Sequence, residues 1–178
     1  MGPENRAVWR DFGIECTRGQ CTYRVPHPLR AQDLRLVPDV PHLFKSLKKM
    51  LLSNEVILLP DDIVREEGLP TNVVDARHLQ DLVDAERAFE LKIAPRLFEA
   101  TLKPKHFQTM KVGNARAVIN NRTSTALEVL AVDKEDPPYL TTAWFVRQVN
   151  QRFSLMTSRS LTLALSKKNE ANRELVEN

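Results

Sequence analysis

Asp39 is the residue whose position in the sequence most suggests chemistry. It follows a short apolar run, Leu34 to Val37, and precedes a basic pattern with helical spacing. A carboxylate at a strand end is placed rigidly, and phosphoryl transfer needs Mg²⁺ held by several such carboxylates. An acid at the start of a helix is also stabilised by the helix dipole and then needs no catalytic role. From the residues alone the structural explanation is the commoner one, and both stay open.

Other catalytic motifs are missing from the sequence. The five glycines are scattered, and no phosphate-binding loop of the Walker or GxGxxG type can be read. Cys16 and Cys21 lack a second Cys/His pair at zinc-ligand spacing, and the four histidines form no HExxH pattern. The sequence therefore gives no support to a zinc site or a nucleotide-binding Rossmann loop.

The composition is that of a soluble globular protein. The chain has 178 residues, 42% of them hydrophobic, which is enough for one domain with a core, with or without an appendage. Two cysteines are too few for a disulfide scaffold, and no apolar run approaches the roughly 20 residues of a membrane span. We expect a soluble protein of a reducing compartment.

Charge is distributed unevenly along the chain. Residues 61–91 carry nine acids against three arginines, a balance of −6, and residues 92–122 carry seven bases against Glu99 alone, a balance of +6. The two segments could attract each other across the fold, or the basic segment could face phosphate groups. The sequence does not decide between these two explanations.

The elements needed to position such residues are strand-like at first and helical afterwards. Short strands are predicted at Trp9–Ile14, Thr22–Val25 and Leu34–Val37, and a helix is predicted from Pro41. Further helices are predicted around residues 79–89, before Pro104, over residues 111–130, and from Thr141 or Thr142 to Met156, followed by a polar, frayed tail. The predicted fold class is mainly α with a small α/β portion.

Five short blocks of the sequence stand out: NRAVWRDFGI (5–14), VPHP (25–28), DVPHLFKSLKKMLL (39–52), MKVGNARAVINNRTSTAL (110–127) and WFVRQVNQRFSLMTSRS (144–160). Together they resemble the central region of P-element-type DNA transposases, whose members often carry THAP zinc fingers. Each block is short, but all five occur in the family's order and together span most of the chain.

The resemblance implies a division into domains. The family has an RNase H-like fold whose three acids bind two metal ions, with a helical GTP-binding domain inserted between the second and third acids. By this resemblance residues 1–52 are a partial RNase H-like core, residues 53–165 are the insertion, and residues 166–178 are a polar tail. Asp39 matches the second acid, and is therefore the predicted catalytic residue and metal ligand.

The resemblance also implies what this chain lacks. One carboxylate is not a two-metal site, and the family's first and third acids have no counterpart here. We therefore expect a fragment of a transposase that does not cut DNA alone, with Mg²⁺ bound only in the complete enzyme. Transposon DNA would be the partner of that complete protein, and its location would be the nucleus.

The implied GTP site is incomplete. Phe153 matches a family phenylalanine expected to stack on guanine, but Ser154 stands where the family has the acid that reads the base. Lys111 matches the first of two lysines, Gly113 replaces the second, and Asn121 matches a family asparagine. The predicted nucleotide-binding residues are thus Phe153, Lys111 and Asn121, with GTP bound weakly or not at all. Phe153 would equally suit an apolar helix face, and a domesticated DNA- or protein-binding helical module is the alternative function.

Overall fold

The computed structural model describes residues 10–11, 13–14, 16–17, 20–21, 24–27, 29–30, 33–35, 39–105, 108 and 111–158. The chain forms two compact units that divide between Asp39 and Val40. The predicted polar tail, residues 166–178, lies outside the described residues.

The first unit contains two antiparallel hairpins. Strands β1 (Cys16–Thr17) and β2 (Gln20–Cys21) form one hairpin, and β3 (Arg24–Pro26) and β4 (Asp33–Arg35) form the other. The predicted strand at Trp9–Ile14 is wrong at Arg10 and Asp11, which are helical and are followed by a turn in which the Gly13 amide donates to the Arg10 carbonyl at 2.8 Å. Residues 36–37 of the third predicted strand lie outside the described residues.

The second unit is built from seven helices and one two-stranded antiparallel sheet within its described residues. In chain order the elements are α1 (Val40–Asn54), β5 (Val56–Leu58), α2 (Asp61–Glu66), β6 (Val73–Asp75), α3 (Arg77–Ala85), a 3₁₀ turn (Glu86–Ala88), α4 (Glu99–Leu102), α5 (Val112–Val118), α6 (Asn121–Asp133) and α7 (Pro138–Thr157). Strands β5 and β6 pair antiparallel. The prediction of a mainly helical fold with a small β portion is confirmed.

Helix α1 confirms the predicted helix and explains where the two units divide. Phe44, Lys48 and Leu51 recur at helical spacing and are all buried. Phe44 and Leu51 belong to the core of the second unit, so α1 is part of that unit from its first residue. The compact units therefore divide after Asp39. The assignment of residues 1–52 to a partial RNase H-like core and of residues 53–165 to the insertion stays a prediction. Burial also lowers the pKa of the Lys48 ammonium.

Helix α7 is the centre of the second unit. It packs along α6 and against β6, and its buried side chains include Phe145, Val146 and Phe153. The core also takes Leu79 and Leu82 from α3 and further residues from α5 and α6. No helix among the described residues is long and apolar enough to cross a membrane.

Helix α7 begins earlier than predicted, because Pro138 suits the first helical turn. The prediction that Thr141 or Thr142 caps this helix is wrong, since both are fully buried inside it. The Thr141 hydroxyl donates to the Thr71 carbonyl at 3.0 Å, and the Thr142 hydroxyl accepts from the Asp75 amide at 3.1 Å. These threonines join α7 to β6 and to the segment that precedes it.

His78 forms a second polar link between α3 and α7. Its Nδ1 lies 2.8 Å from the Thr142 hydroxyl, and its ring stacks on Tyr139 with the centroids 4.0 Å apart. A neutral imidazole whose own proton is on Nε2 can accept the Thr142 hydroxyl proton at Nδ1. Burial lowers the pKa of His78, although Asp75 and neighbouring acids raise it by a smaller amount.

We therefore expect the stability of the protein to fall in mild acid. The neutral form of His78 is favoured in the folded state, so its contribution is complete above the unfolded pKa of about 6.5. That contribution is lost as the pH falls from there through the lowered folded pKa. Urea unfolding across this range should give a steeper pH dependence for the wild type than for His78→Gln. Parallel curves for the two proteins would contradict this assignment.

Candidate functional site

A corner between two helices forms the base of the candidate site. The prediction of one helix over residues 111–130 is wrong, because α5 ends at Val118 and α6 starts at Asn121. Asn120 makes the break: its Oδ1 accepts from the Thr123 amide, and its Nδ2 donates to the Arg116 and Ala117 carbonyls, each at 3.0 Å. Asparagine is a strong N-cap residue, so one side chain ends α5 and starts α6.

A cavity of about 560 Å³ lies beside this corner. It is open to solvent, and its walls come from the segment before α4, from α5, from the start of α6 and from α7. The lining residues are Ala94, Pro95, Arg96, Arg116, Asn120, Asn121, Arg122, Asn150 and Ser154.

The cavity is electropositive. Arg96, Arg116 and Arg122 line it, and none of them forms an ion pair with any acid in the part of the chain that the structure describes. The start of α6 adds the positive end of a helix dipole, with the Thr123 amide already bound to Asn120 Oδ1. Asn121 is held in this turn by a bond from Asn150 Nδ2 to its Oδ1 at 2.8 Å. Such an arrangement suits an anion.

Arg116 forms the outer layer of a three-layer stack. The rings of Phe44 and Phe153 stack at 4.0 Å with an interplanar angle of 22°, and the Arg116 guanidinium carbon lies 5.5 Å from the Phe153 centroid. A guanidinium is attracted to an aromatic face at this distance. The stack therefore holds an exposed arginine at the cavity by means of two buried rings.

Glu86 positions the wall of the cavity that comes from the segment before α4. Its side chain is buried, and its Oε1 accepts from the Ile93 amide at 2.9 Å and from the Ala94 amide at 3.0 Å. These bonds fix the segment that continues into Pro95 and Arg96 at the cavity. Glu86 does not itself line the cavity.

The structure brings one of the three predicted nucleotide-binding residues to the cavity. Asn121 lines it, together with Ser154. Phe153 is buried, packs on Phe44 and is not a lining residue. Lys111 is exposed immediately before α5 and is not a lining residue either. The binding roles of Phe153 and Lys111 stay predictions.

Sequence reasoning did not single out Arg96, Arg116 or Arg122 as site residues. All three belong to the basic segment 92–122, so the positive charge of that segment was the sequence feature that pointed to them. Among the described residues no ion pair joins an acid of segment 61–91 to a base of segment 92–122. The ion pair between Arg87 and Glu99, at 3.0 Å, instead joins a base of segment 61–91 to the acid of segment 92–122.

Asp39 is exposed and directly precedes α1. A two-metal site needs several carboxylates around each ion. Within the described ranges no group of three or more His, Cys, Asp or Glu side chains is placed to hold a metal ion. The described residues therefore do not form the Mg²⁺ site that the resemblance implies. The role of Asp39 as a metal ligand stays a prediction.

Comparisons with known proteins bear on the fold. No protein-family model matches the chain, and no curated protein sequence matches it. Among solved structures, the chain is similar to the Drosophila P element transposase strand transfer complex, with a TM-score of 0.78 and 16% sequence identity. The similarity covers 99% of this chain and 38% of that chain.

At this sequence identity the likeness establishes the fold. Nearly all of this chain has the fold of one part of a P-element transposase, and it spans 38% of that protein's length. The resemblance inferred from five short sequence blocks is thereby confirmed as a likeness of structure.

Proposed function

We propose that this chain is part of a P-element-like DNA transposase and carries its GTP-binding insertion domain. The observation that supports this most is the similarity of fold to a P element transposase over 99% of the chain. That transposase forms a strand transfer complex, and its chain is much longer than this one. We propose transposon DNA as the partner of the complete protein and the nucleus as its location.

The second unit supports the nucleotide part of the proposal. Its cavity offers three arginines that have no acidic partner among the described residues and the start of a thirteen-residue helix, which are the groups that bind phosphates. Asn121, chosen from the sequence, lies at this helix start. Cleavage of DNA is not proposed for these residues alone, because Asp39 has no carboxylate cluster around it within the described ranges.

The exposed bases of segment 92–122 favour a second candidate, a domesticated module that binds DNA or an acidic protein without nucleotide. Lys92, Lys105 and Lys111 are exposed, as are the cavity arginines. Duplex DNA binding whose affinity falls steeply with salt, in a protein that binds no nucleotide, would support this candidate, since phosphate contacts release counterions.

Calorimetric titration with GTP and Mg²⁺ tests the first proposal. We expect the wild type to bind weakly and the triple variant Arg96→Gln, Arg116→Gln, Arg122→Gln to lose at least about tenfold in affinity, because a charge-assisted bond contributes about 1.5–3 kcal/mol. Arg65→Gln is the control, because Arg65 is exposed on α2 and does not line the cavity. Wild-type protein that binds no GTP would contradict the proposal.

A further inference from the structure

Strand β5 has one edge that no other strand covers. In the register that joins β5 to β6, the Leu59 amide donates to the carbonyl of the opposed residue Asn72 at 2.8 Å. Hydrogen-bonded and non-hydrogen-bonded pairs alternate along an antiparallel ladder. The backbone N–H and C=O groups of Val56 and Leu58 therefore point away from β6.

Two further hydrogen bonds agree with this orientation. At the other end of the pair, the Ala76 amide donates to the Glu55 carbonyl at 2.7 Å. The Asp75 amide, opposite Val56, points away from β5 and donates to the Thr142 hydroxyl on α7 at 3.1 Å. Helix α7 thus takes up the outward donor of Asp75, whereas the corresponding groups of β5 lie on the free side of the sheet.

The free edge of β5 combines backbone and apolar groups. Val56 is 38% exposed and Leu58 is 68% exposed, and the outward amides and carbonyls of both bond to no described residue outside the sheet. Two donors, two acceptors and two apolar side chains are thus presented side by side. An exposed edge of this kind is a template for one more strand.

Negative charge flanks the edge on both sides. Residues 55–67 contain five acids and one arginine. All five acids are exposed, and none forms an ion pair within the described ranges: they are Glu55, Asp61, Asp62, Glu66 and Glu67. A second copy of this chain would bring the same acids and be repelled, whereas a basic segment would be attracted.

We propose that β5 is a docking edge for an extended, basic segment of a partner protein, which adds to the sheet as a third strand. Apolar residues at alternate positions of that segment pack on Val56 and Leu58, because cross-strand neighbours share one face of a sheet. Its lysines or arginines lie near the flanking acids. This inference is independent of the cavity and of the proposed function.

Amide hydrogen exchange followed by NMR tests the docking edge on the full chain. The probe is a short synthetic peptide in which lysine and valine alternate, and a peptide of alternating glutamate and valine is the matched control. We expect the lysine peptide to slow exchange of the Val56 and Leu58 amides at least about tenfold, because both donors gain acceptors. The glutamate peptide should leave both rates unchanged, and sodium chloride should weaken the effect of the lysine peptide.

Leu58→Pro gives a second test, because it removes an outward N–H that the β5–β6 ladder does not use. We expect this variant to lose about tenfold or more in affinity for the lysine peptide, and Leu58→Thr, which keeps the N–H, to lose less. Urea unfolding establishes that Leu58→Pro is folded. The double variant Asp61→Asn, Asp62→Asn changes only exposed side chains and should bind the peptide about threefold more weakly at low salt.

Three results would overturn the inference. If the lysine peptide leaves the Val56 and Leu58 amides unprotected, β5 is not a docking edge. Equal protection by the two peptides would exclude a preference for a basic partner. Slow exchange of both amides in the free protein, increasing with protein concentration, would assign the edge to a second copy of this chain.

Discussion

Phe153→Ala should destabilise the protein by about 3–5 kcal/mol, the usual cost of removing a buried phenylalanine ring. Phe153 is 6% exposed, packs on Phe44 and lies in the core of the second unit. The substitution would remove the ring contact and leave a cavity that the neighbouring helices fill only in part. Urea unfolding of wild type and variant measures the difference in the free energy of unfolding.

The control for this loss is Phe89→Ala. Phe89 is 60% exposed, so its truncation should change the free energy of unfolding by less than about 1 kcal/mol. Equal losses for the two variants would contradict the structural role of Phe153. Because Phe153→Ala is expected to weaken the fold, a loss of nucleotide binding in that variant would not identify Phe153 as a ligand contact.

Glu86→Ala should destabilise the protein by about 2–4 kcal/mol, because it removes two hydrogen bonds to a charged acceptor. The Ile93 and Ala94 amides both donate to Glu86 Oε1, and Ala94 is buried. Without the carboxylate, these donors lose their acceptor and the wall that carries Arg96 loses its anchor. The effect should appear both in urea unfolding and as weaker binding of nucleotide.

Two variants test the specificity of this effect. Glu90→Ala removes an exposed acid from the same segment and should change stability by no more than about 0.5 kcal/mol. Glu86→Gln keeps one acceptor oxygen at the same place and should therefore lose less stability than Glu86→Ala. A loss in Glu86→Ala no larger than that in Glu90→Ala would refute the anchoring role of the carboxylate.

The parts of the fold that depend on local patterns were predictable from the sequence. The apolar spacing of Phe44 and Leu51 located α1, and the paired strands around Val25 and Leu34 coincide with predicted strands. Errors arose where a single side chain overrides the local pattern. Asn120 splits one apparent helix into two because its side chain satisfies backbone groups on both sides of the break.

The site was harder to predict because its walls come from distant parts of the chain. Asn121 was found through a sequence resemblance, whereas Arg96 follows residues 93 and 94, which hydrogen bonds tie to the distant Glu86 side chain. Arg116 reaches the cavity through the stack of Phe44 on Phe153, two residues that are far apart in sequence. Neither arrangement has a periodic signal in the sequence.

A crystal structure of the chain with GTP and Mg²⁺ would test the central claim most directly. We predict that the phosphates lie in the cavity against the first turn of α6, within hydrogen-bond distance of Arg96, Arg116 or Arg122. Phosphates held by Lys111, or a guanine base stacked on the ring of Phe153, would contradict this account, since neither residue lines the cavity.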